Sequence, residues 1–268
     1  MSETGKPELF DMLFVTTPKR VRTPRFSAYF ARAGLDSISL SLVLKRREPT
    51  RARGVDGAES MGWGPSCTEP EFAAAVGELK GRARRCWINV EAEPRELDIQ
   101  LLASGGVGAL LSGPDLTPEQ ALRVHKELPA GAPMSLALEN EAMLSAASRL
   151  LDQIPLRALV VGTSYLSESS KMYDQMGLDR YRALMRGACK KAASLGARPY
   201  TTSNYCTFEP TGAGDRSKDF VAEQVEFVSA RPGWGSITRF YSHLDVVQAT
   251  LDASGAFGSG GKEASWLS

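Results

Sequence analysis

The sequence predicts an α/β protein built as a single-domain (β/α)8 TIM barrel. Short apolar runs of strand length recur along the chain, and segments with helical spacing of apolar residues separate them. Strands that alternate with helices form parallel sheets, and eight such repeats suit a chain of 268 residues. A closed barrel is therefore the expected arrangement, and an open doubly wound sheet is the alternative.

The eight predicted strands are short runs rich in Val, Leu, Ile and aromatic residues. They lie near residues 11–16, 36–42, 86–90, 107–112, 134–139, 157–161, 199–203 and 236–241.

The segments between these strands carry helix signals. Residues 70–85 repeat apolar side chains at three- or four-residue spacing, which places them on one helical face. Thr117 is a good N-cap, and Pro118 suits the first helical position. A long helix rich in Ala and Leu is expected to end at Gly196, because glycine is favoured just after a helix.

Two segments interrupt the alternation. Residues 45–70 are charged and rich in glycine, and they are expected to form a long loop after the second strand. Residues 209–219 contain one proline and two glycines, and they are expected to form a loop at the seventh strand, at the same end of the barrel. We expect the barrel to occupy residues 1–251 and residues 252–268 to form a flexible C-terminal tail.

Composition excludes several functional classes. The net charge of +1 gives no general attraction to nucleic acid or to an anionic membrane. The sequence has no apolar stretch of the ~20 residues that cross a bilayer, and its polar N-terminus lacks a signal-peptide core. The four cysteines form no CxxC pair, which argues against a zinc or redox motif. A soluble cytoplasmic protein with reduced thiols is expected.

Several motifs, in order, resemble those of the citrate lyase β-subunit and HpcH/HpaI aldolase superfamily. They are LFVTTPKRVRTPRFSAYFARAGLDSISLSL, LALENEAMLSAASRLL, LVVGTSYLSES, RPYTTSNYCTF and GSITRFYSHLDVVQATL. The resemblance implies a (β/α)8 enzyme that makes or breaks carbon–carbon bonds next to a carbonyl group, usually with Mg²⁺ or Mn²⁺. It also implies a homo-oligomer, usually a trimer or hexamer, and some family members act on coenzyme A thioesters.

The resemblance assigns family positions to individual residues, and most of them are substituted. Glu139 matches a metal-binding glutamate. Tyr165 stands at the second metal-binding acid, Trp87 at the enolate-stabilising arginine, and Tyr241 at a late histidine. A neutral phenol, with a pKa near ~10, is a poor ligand for Mg²⁺. A metal site resting on Glu139 alone is therefore in doubt, and the chemistry of the scaffold is expected to have changed.

The resemblance and the strand ends together give a set of candidate site residues. Glu139 is a candidate base or remaining metal ligand, with a salt bridge at the barrel rim as the alternative. Tyr165 is a candidate donor to a developing oxyanion, or a residue that fills a lost metal site. Arg25 is a candidate anchor for an anionic group. Asn89 and Asp115 are candidate binding residues near strand ends, with turn formation as the alternative.

Further candidates are less specific. Trp87 and Tyr241 are expected to contact substrate if the pocket is retained. The basic residues Lys45, Arg46 and Arg47 follow the second strand and would suit an anionic ligand, although a solvated charged surface is the simpler interpretation.

Three functions remain open from the sequence. The first is a divergent lyase or aldolase that acts on carbon–carbon or carbon–heteroatom bonds next to a carbonyl or carboxylate of a small anionic or CoA-linked substrate. The second is a non-catalytic barrel that serves as a structural or regulatory subunit. The third is a reassigned, metal-free reaction in a specialised pathway. A formed polar pocket favours an enzyme, whereas Trp87 and Tyr165 filling the mouth favours the non-catalytic barrel.

Overall fold

The computed structural model describes most of the barrel wall. It covers residues 10–22, 38–53, 59–80, 85–161, 176–201 and 234–239. The described strands are β1 (Phe10–Thr16), β2 (Ile38–Leu44), β3 (Arg47–Arg53), β4 (Glu59–Ser66), β5 (Arg85–Val90), β6 (Gly108–Leu111), β7 (Met134–Leu138), β8 (Leu156–Val161), β9 (Arg198–Thr201) and β10 (Gly235–Arg239).

Eight of these strands pair side by side in the order β1-β10-β9-β8-β7-β6-β5-β2, and the order closes because β1 also pairs with β2. Every pairing in this sheet is parallel. Each strand predicted from the sequence has a counterpart here, so the α/β class with a curled parallel sheet is confirmed. The complete (β/α)8 repeat would also involve segments outside the described residues, and it stays a prediction.

The described helices follow the strands. They are α1 (Pro18–Val21), α2 (Glu69–Leu79), α3 (Glu96–Ala103), α4 (Pro118–Glu127), α5 (Glu141–Ser145), α6 (Ala147–Gln153) and α7 (Leu178–Ser194). Among these helices, none has both the length and the apolar composition that crossing a membrane requires.

Local sequence signals set the helix ends. The side chain of Thr117 caps α4 by accepting a hydrogen bond from the backbone N–H of Gln120 at 3.2 Å, and Pro118 is the first helical residue, as predicted. Thr68 caps α2 in the same way. Gly196 follows the end of α7 with φ +80°, a left-handed conformation that glycine adopts without steric cost, which confirms the predicted helix end.

Side-chain alternation along the strands separates two layers of core. Inward-facing residues fill the barrel with a small cluster that contains Val43, Trp87, Leu110, Ala137 and Tyr200. Outward-facing residues pack under the helices in a much larger cluster. Consecutive residues of a strand point to opposite faces. A residue two positions after an interior residue therefore also faces inward, and at the end of a strand it lies at the mouth of the barrel.

The prediction of a long loop over residues 45–70 was wrong in its centre. There β3 and β4 form an antiparallel two-stranded ribbon, in which Pro49 pairs with Trp63 and Arg51 with Met61. Charge and glycine content concealed the pairing, although the Asp56-Gly57 dipeptide between the two strands is a hairpin signal. Both ends of the ribbon lie beside the carboxyl end of β2. There the backbone N–H of Cys67 donates a hydrogen bond to the carbonyl of Arg46 at 2.9 Å.

The boundary between a barrel at residues 1–251 and a flexible tail at 252–268 lies outside the described residues, as does the predicted loop at 209–219. Both stay predictions.

Candidate active site

A cavity of about 500 Å³ opens at the carboxyl ends of β2, β5, β6 and β7. In parallel barrels this face carries the loops that form active sites. Four side chains from the ends of these strands line it, namely Lys45, Asn89, Ser112 and Glu139. Polar residues thus converge where the sequence predicts a site.

Glu139 directly follows β7 and lies in the cavity wall with only 4% of its surface exposed. Two residues earlier Ala137 belongs to the barrel-interior cluster, so Glu139 lies on the inward face at the mouth. A carboxylate held this far from water needs polar partners, because transfer of an isolated charge out of water is costly. This position agrees with the choice of Glu139 as a candidate site residue from the sequence. Its role as a base or metal ligand stays a prediction.

Asn89 and Ser112 form a polar pair in the floor of the cavity. Asn89 lies two residues after the interior residue Trp87, and Ser112 lies two residues after the interior residue Leu110. The hydroxyl of Ser112 donates a short hydrogen bond to the side-chain carbonyl of Asn89. This bond leaves the Asn89 NH₂ group to donate elsewhere. Sequence reasoning found Asn89 and missed Ser112, although the alternation from Leu110 could have indicated it.

Asp115 also borders the cavity, in the turn after β6. It is exposed, and the turn is held by Asn140, whose side-chain NH₂ donates to the carbonyls of Pro114 at 2.9 Å and Leu116 at 2.8 Å. Asp115 therefore occupies a turn and the rim of the cavity together, so both of its predicted roles fit its place.

Trp87 lies deeper than the cavity. Its ring belongs to the barrel-interior cluster, is buried, and does not line the cavity at the mouth. The indole N–H has no hydrogen-bond partner within the part of the chain that the structure describes. The described contacts give Trp87 a packing position, and its predicted contact with substrate stays a prediction.

Basic side chains form one side of the cavity. Lys45 follows β2 with 8% of its surface exposed, and Arg46, Arg47 and Arg95 line the cavity near it. Arg46 is committed to an ion pair, since its Nη2 donates to Oδ1 of the buried Asp98 at 2.5 Å.

The Arg46 guanidinium also stacks 3.9 Å above the Phe72 ring. Asp98 in turn accepts a hydrogen bond from the backbone N–H of Arg95 at 3.0 Å. The pair therefore joins the end of β2 to the first turn of α3 and fixes this side of the cavity.

Three predicted site residues, Arg25, Tyr165 and Tyr241, lie outside the described residues.

The described donors do not by themselves form the paired-carboxylate metal site that the resemblance implies. Among the described residues, no group of three or more His, Cys, Asp or Glu side chains is placed to hold a metal ion. Glu139 offers one buried carboxylate at a strand end, and Asn89 and Ser112 offer neutral oxygens. Mg²⁺ prefers an octahedral set of oxygens that includes one or two carboxylates, water and substrate. Glu139 fits one such position.

Comparison with known proteins identifies the fold. No protein-family model matches the chain, and no curated protein sequence does. A citrate lyase from Burkholderia xenovorans LB400 superposes with a TM-score of 0.55 at 15% identity, covering 92% of this chain and 77% of that one. The citrate lyase β-subunit of M. tuberculosis, complexed with oxaloacetate and magnesium, gives 0.51 at 13% identity over 90% and 97% of the two chains.

A third solved structure, an HpcH/HpaI aldolase from Desulfitobacterium hafniense DCB-2, gives a TM-score of 0.52 at 12% identity. It covers 92% of this chain and 91% of the aldolase. At these identities the likeness concerns the fold. The resemblance seen in the sequence is confirmed at that level: the chain has the fold of citrate lyase β-subunits and HpcH/HpaI aldolases.

Proposed function

We propose that the chain is a lyase- or aldolase-like enzyme that acts on a bond next to the carbonyl or carboxylate of a small anionic or CoA-linked substrate. The observation that carries this proposal is the buried carboxylate of Glu139 in a polar cavity at the carboxyl ends of the strands. The proposed scaffold is a complete (β/α)8 barrel.

The proposed chemistry begins with a proton next to a carbonyl group. Glu139 takes this proton, and the negative charge that develops on the carbonyl oxygen is stabilised by nearby donors. The NH₂ group of Asn89 is a suitable donor, because its side chain lines the same cavity as Glu139.

Residues beyond the described part of the chain complete the proposal. Arg25 would anchor an anionic group of the substrate, Tyr165 would donate a hydrogen bond or proton to the oxyanion, and Tyr241 would contact the substrate. These roles rest on the sequence resemblance. Assembly as a homo-oligomer and a cytoplasmic location are proposed on the same basis.

The proposal does not require a magnesium ion, and magnesium is one of the conditions in the experiment that tests it. The M. tuberculosis neighbours contain magnesium with oxaloacetate and with pyruvate. When bound, a divalent metal would polarise the carbonyl oxygen, and Glu139 is the described residue that would hold it.

Deuterium exchange of the pyruvate methyl group tests the proposal. The full chain is incubated with pyruvate in D₂O, and loss of the methyl proton signal is followed by NMR with Mg²⁺, with Mn²⁺ and with EDTA. The decisive variant is Glu139→Gln. Glu141→Gln is its matched control, because Glu141 begins α5 two residues away and faces Arg180, 3.7 Å between Oε1 and Nη1.

Exchange that disappears in Glu139→Gln and persists in Glu141→Gln supports the proposed base. Exchange that also requires Mg²⁺ or Mn²⁺ assigns a metal to the site, whereas exchange in EDTA assigns the reaction to protein groups. Absence of exchange under every condition contradicts pyruvate enolisation. It then favours the alternative of a non-catalytic barrel, which the substitutions at the family positions of Trp87, Tyr165 and Tyr241 motivate.

A further inference from the structure

Lys45 is placed unusually for a lysine. It is the residue after β2, and alternation from the interior residue Val43 directs it to the inward face at the mouth. Its backbone N–H donates to the carbonyl of Thr16 at 2.9 Å, which fixes this position against the end of β1. With 8% of its surface exposed it is among the buried residues, where lysine is rarely found.

The surroundings of Lys45 suit nucleophilic chemistry. Its side chain lines the cavity, and a lysine amine in such a position attacks a substrate carbonyl carbon in its neutral form. Asp98, a buried carboxylate of the same cavity, is already engaged by Arg46. Glu139 is a buried strand-end carboxylate of the same cavity, and it can take the proton next to the carbonyl carbon that Lys45 attacks.

We propose that Lys45 forms a Schiff base with the carbonyl carbon of a 2-oxo acid. This inference rests on the proposed function, since it assigns Glu139 the proton next to the carbonyl. The neutral amine nitrogen of Lys45 forms a bond to carbon 2 of the substrate as the C=O π bond breaks. The oxygen takes one proton from that nitrogen and one from solvent, and the C–O bond then breaks to release water and leave a protonated imine. The protonated imine then accepts the electron pair of the C–H bond as Glu139 takes its proton, which gives an enamine.

A lysine imine performs the task that a metal performs for an enolate. Its positive charge draws electrons from the neighbouring carbon, so the developing charge needs no Lewis acid on oxygen. The sequence agrees with such a mechanism, because Tyr165 occupies the family position of the second metal-binding acid and supplies no carboxylate there. The lysine and the altered metal position are therefore explained together.

Reductive trapping tests the proposal directly. The full chain is incubated in EDTA with pyruvate, oxaloacetate or 2-oxobutyrate, reduced with cyanoborohydride, and analysed by intact mass and peptide mapping. We expect one reduced adduct on the peptide that contains Lys45. Lys45→Met should abolish the adduct, and Lys126→Met, which removes an exposed lysine of α4, should retain it. Lys45→Arg keeps the positive charge and serves as a second variant, with circular dichroism to verify its fold.

The outcomes separate this proposal from the function on which it rests. Glu139→Gln should still give the Lys45 adduct while losing deuterium exchange, because imine formation precedes proton removal. Exchange without an adduct overturns the lysine mechanism and leaves the proposed function standing. No adduct on Lys45 with any of the three acids, or an equal adduct on other lysines, also overturns it.

Discussion

The indole ring of Trp87 occupies the space that a β-carbon on Gly108 would need. The two residues pair in register on β5 and β6, and such a carbon would overlap ring atoms Cζ3 and Cε3. It would also approach the carbonyl oxygen of Pro133 to 2.8 Å. That oxygen cannot move away freely, because it accepts a hydrogen bond from the backbone N–H of Ala109 at 2.8 Å. Glycine at 108 is therefore a packing requirement of the large residue beside it.

The variant Gly108→Ala should destabilise the protein. Overpacking of a filled core costs about 1–3 kcal/mol, and the overlap with both a ring and a backbone oxygen places this site at the upper end. Urea unfolding followed by circular dichroism measures the change. Gly77→Ala on α2 is the control, because nothing lies within 4 Å of the added carbon and alanine favours a helix by about 1 kcal/mol. The control should therefore stabilise the protein, and two changes of the same sign would contradict the packing argument.

The fold could be predicted because its signals are local and repeated. Each strand is an apolar run, and caps such as Thr117 and Gly196 set helix ends through contacts with near neighbours in sequence. The ribbon of β3 and β4 was missed because polar strands outside the main sheet carry no apolar alternation.

The site could be predicted only in part. Glu139 was selected because it matches a family position at the end of an apolar run, and Asn89 because it lies near the end of another such run. Ser112, the Arg46–Asp98 pair and the burial of Lys45 were not, since each depends on residues distant in sequence coming together in the closed sheet. A Ser–Asn pair 23 residues apart leaves no periodic signal.

The Arg46–Asp98 pair should be essential to the stability of the cavity wall. Removing one partner leaves the other charge buried and unpaired, which typically costs about 3–5 kcal/mol. Asp98→Asn should therefore lower the free energy of unfolding by about this amount. The double variant Arg46→Met/Asp98→Asn removes both charges and should recover a large part of the loss. Thermal or urea unfolding of four proteins, namely the unsubstituted chain, Arg46→Met, Asp98→Asn and the double variant, measures the coupling.

A surface pair provides the control for this prediction. Arg149 Nη2 and Glu119 Oε1 lie 2.9 Å apart with both side chains largely exposed. The contact with Arg149 lowers the pKa of the Glu119 carboxyl, but solvent screens the pair. Glu119→Gln should change stability little. A double variant at Arg46 and Asp98 that is as unstable as the sum of its single variants would contradict the coupling.

The Ser112 hydroxyl should control the orientation of the Asn89 amide. Ser112→Ala removes the donor to the Asn89 carbonyl and should shift the Asn89 side-chain NH₂ signals in a ¹⁵N correlation spectrum. Binding of pyruvate or oxalate should weaken several-fold, since one net hydrogen bond contributes about 0.5–1.5 kcal/mol. Ser112→Thr keeps the hydroxyl and should largely restore both. Ser104→Ala at the exposed end of α3 should leave both unchanged, and unshifted Asn89 signals in Ser112→Ala would refute the orientation.

The thiol of Cys86 should be unreactive toward alkylating reagents in the folded protein. It should also make the free energy of unfolding decrease at alkaline pH. Burial under the helices raises its pKa from 9.0 to about 12, and Lys80 offsets this only in part. Near pH 8 native Cys86 should resist iodoacetamide, whereas the half-buried Cys67 reacts. Peptide mapping before and after unfolding in urea distinguishes the two.

The sign of the pH effect follows from proton binding. Between about pH 9 and 12 the unfolded thiol has lost its proton while the folded Cys86 keeps it, so the folded state binds more protons and stability declines as pH rises. Cys86→Ala removes this contribution. Its free energy of unfolding should therefore fall less steeply across that range than that of the unsubstituted protein, measured in parallel urea titrations. Equal slopes would show that Cys86 titrates alike in both states and that its burial does not hold the proton.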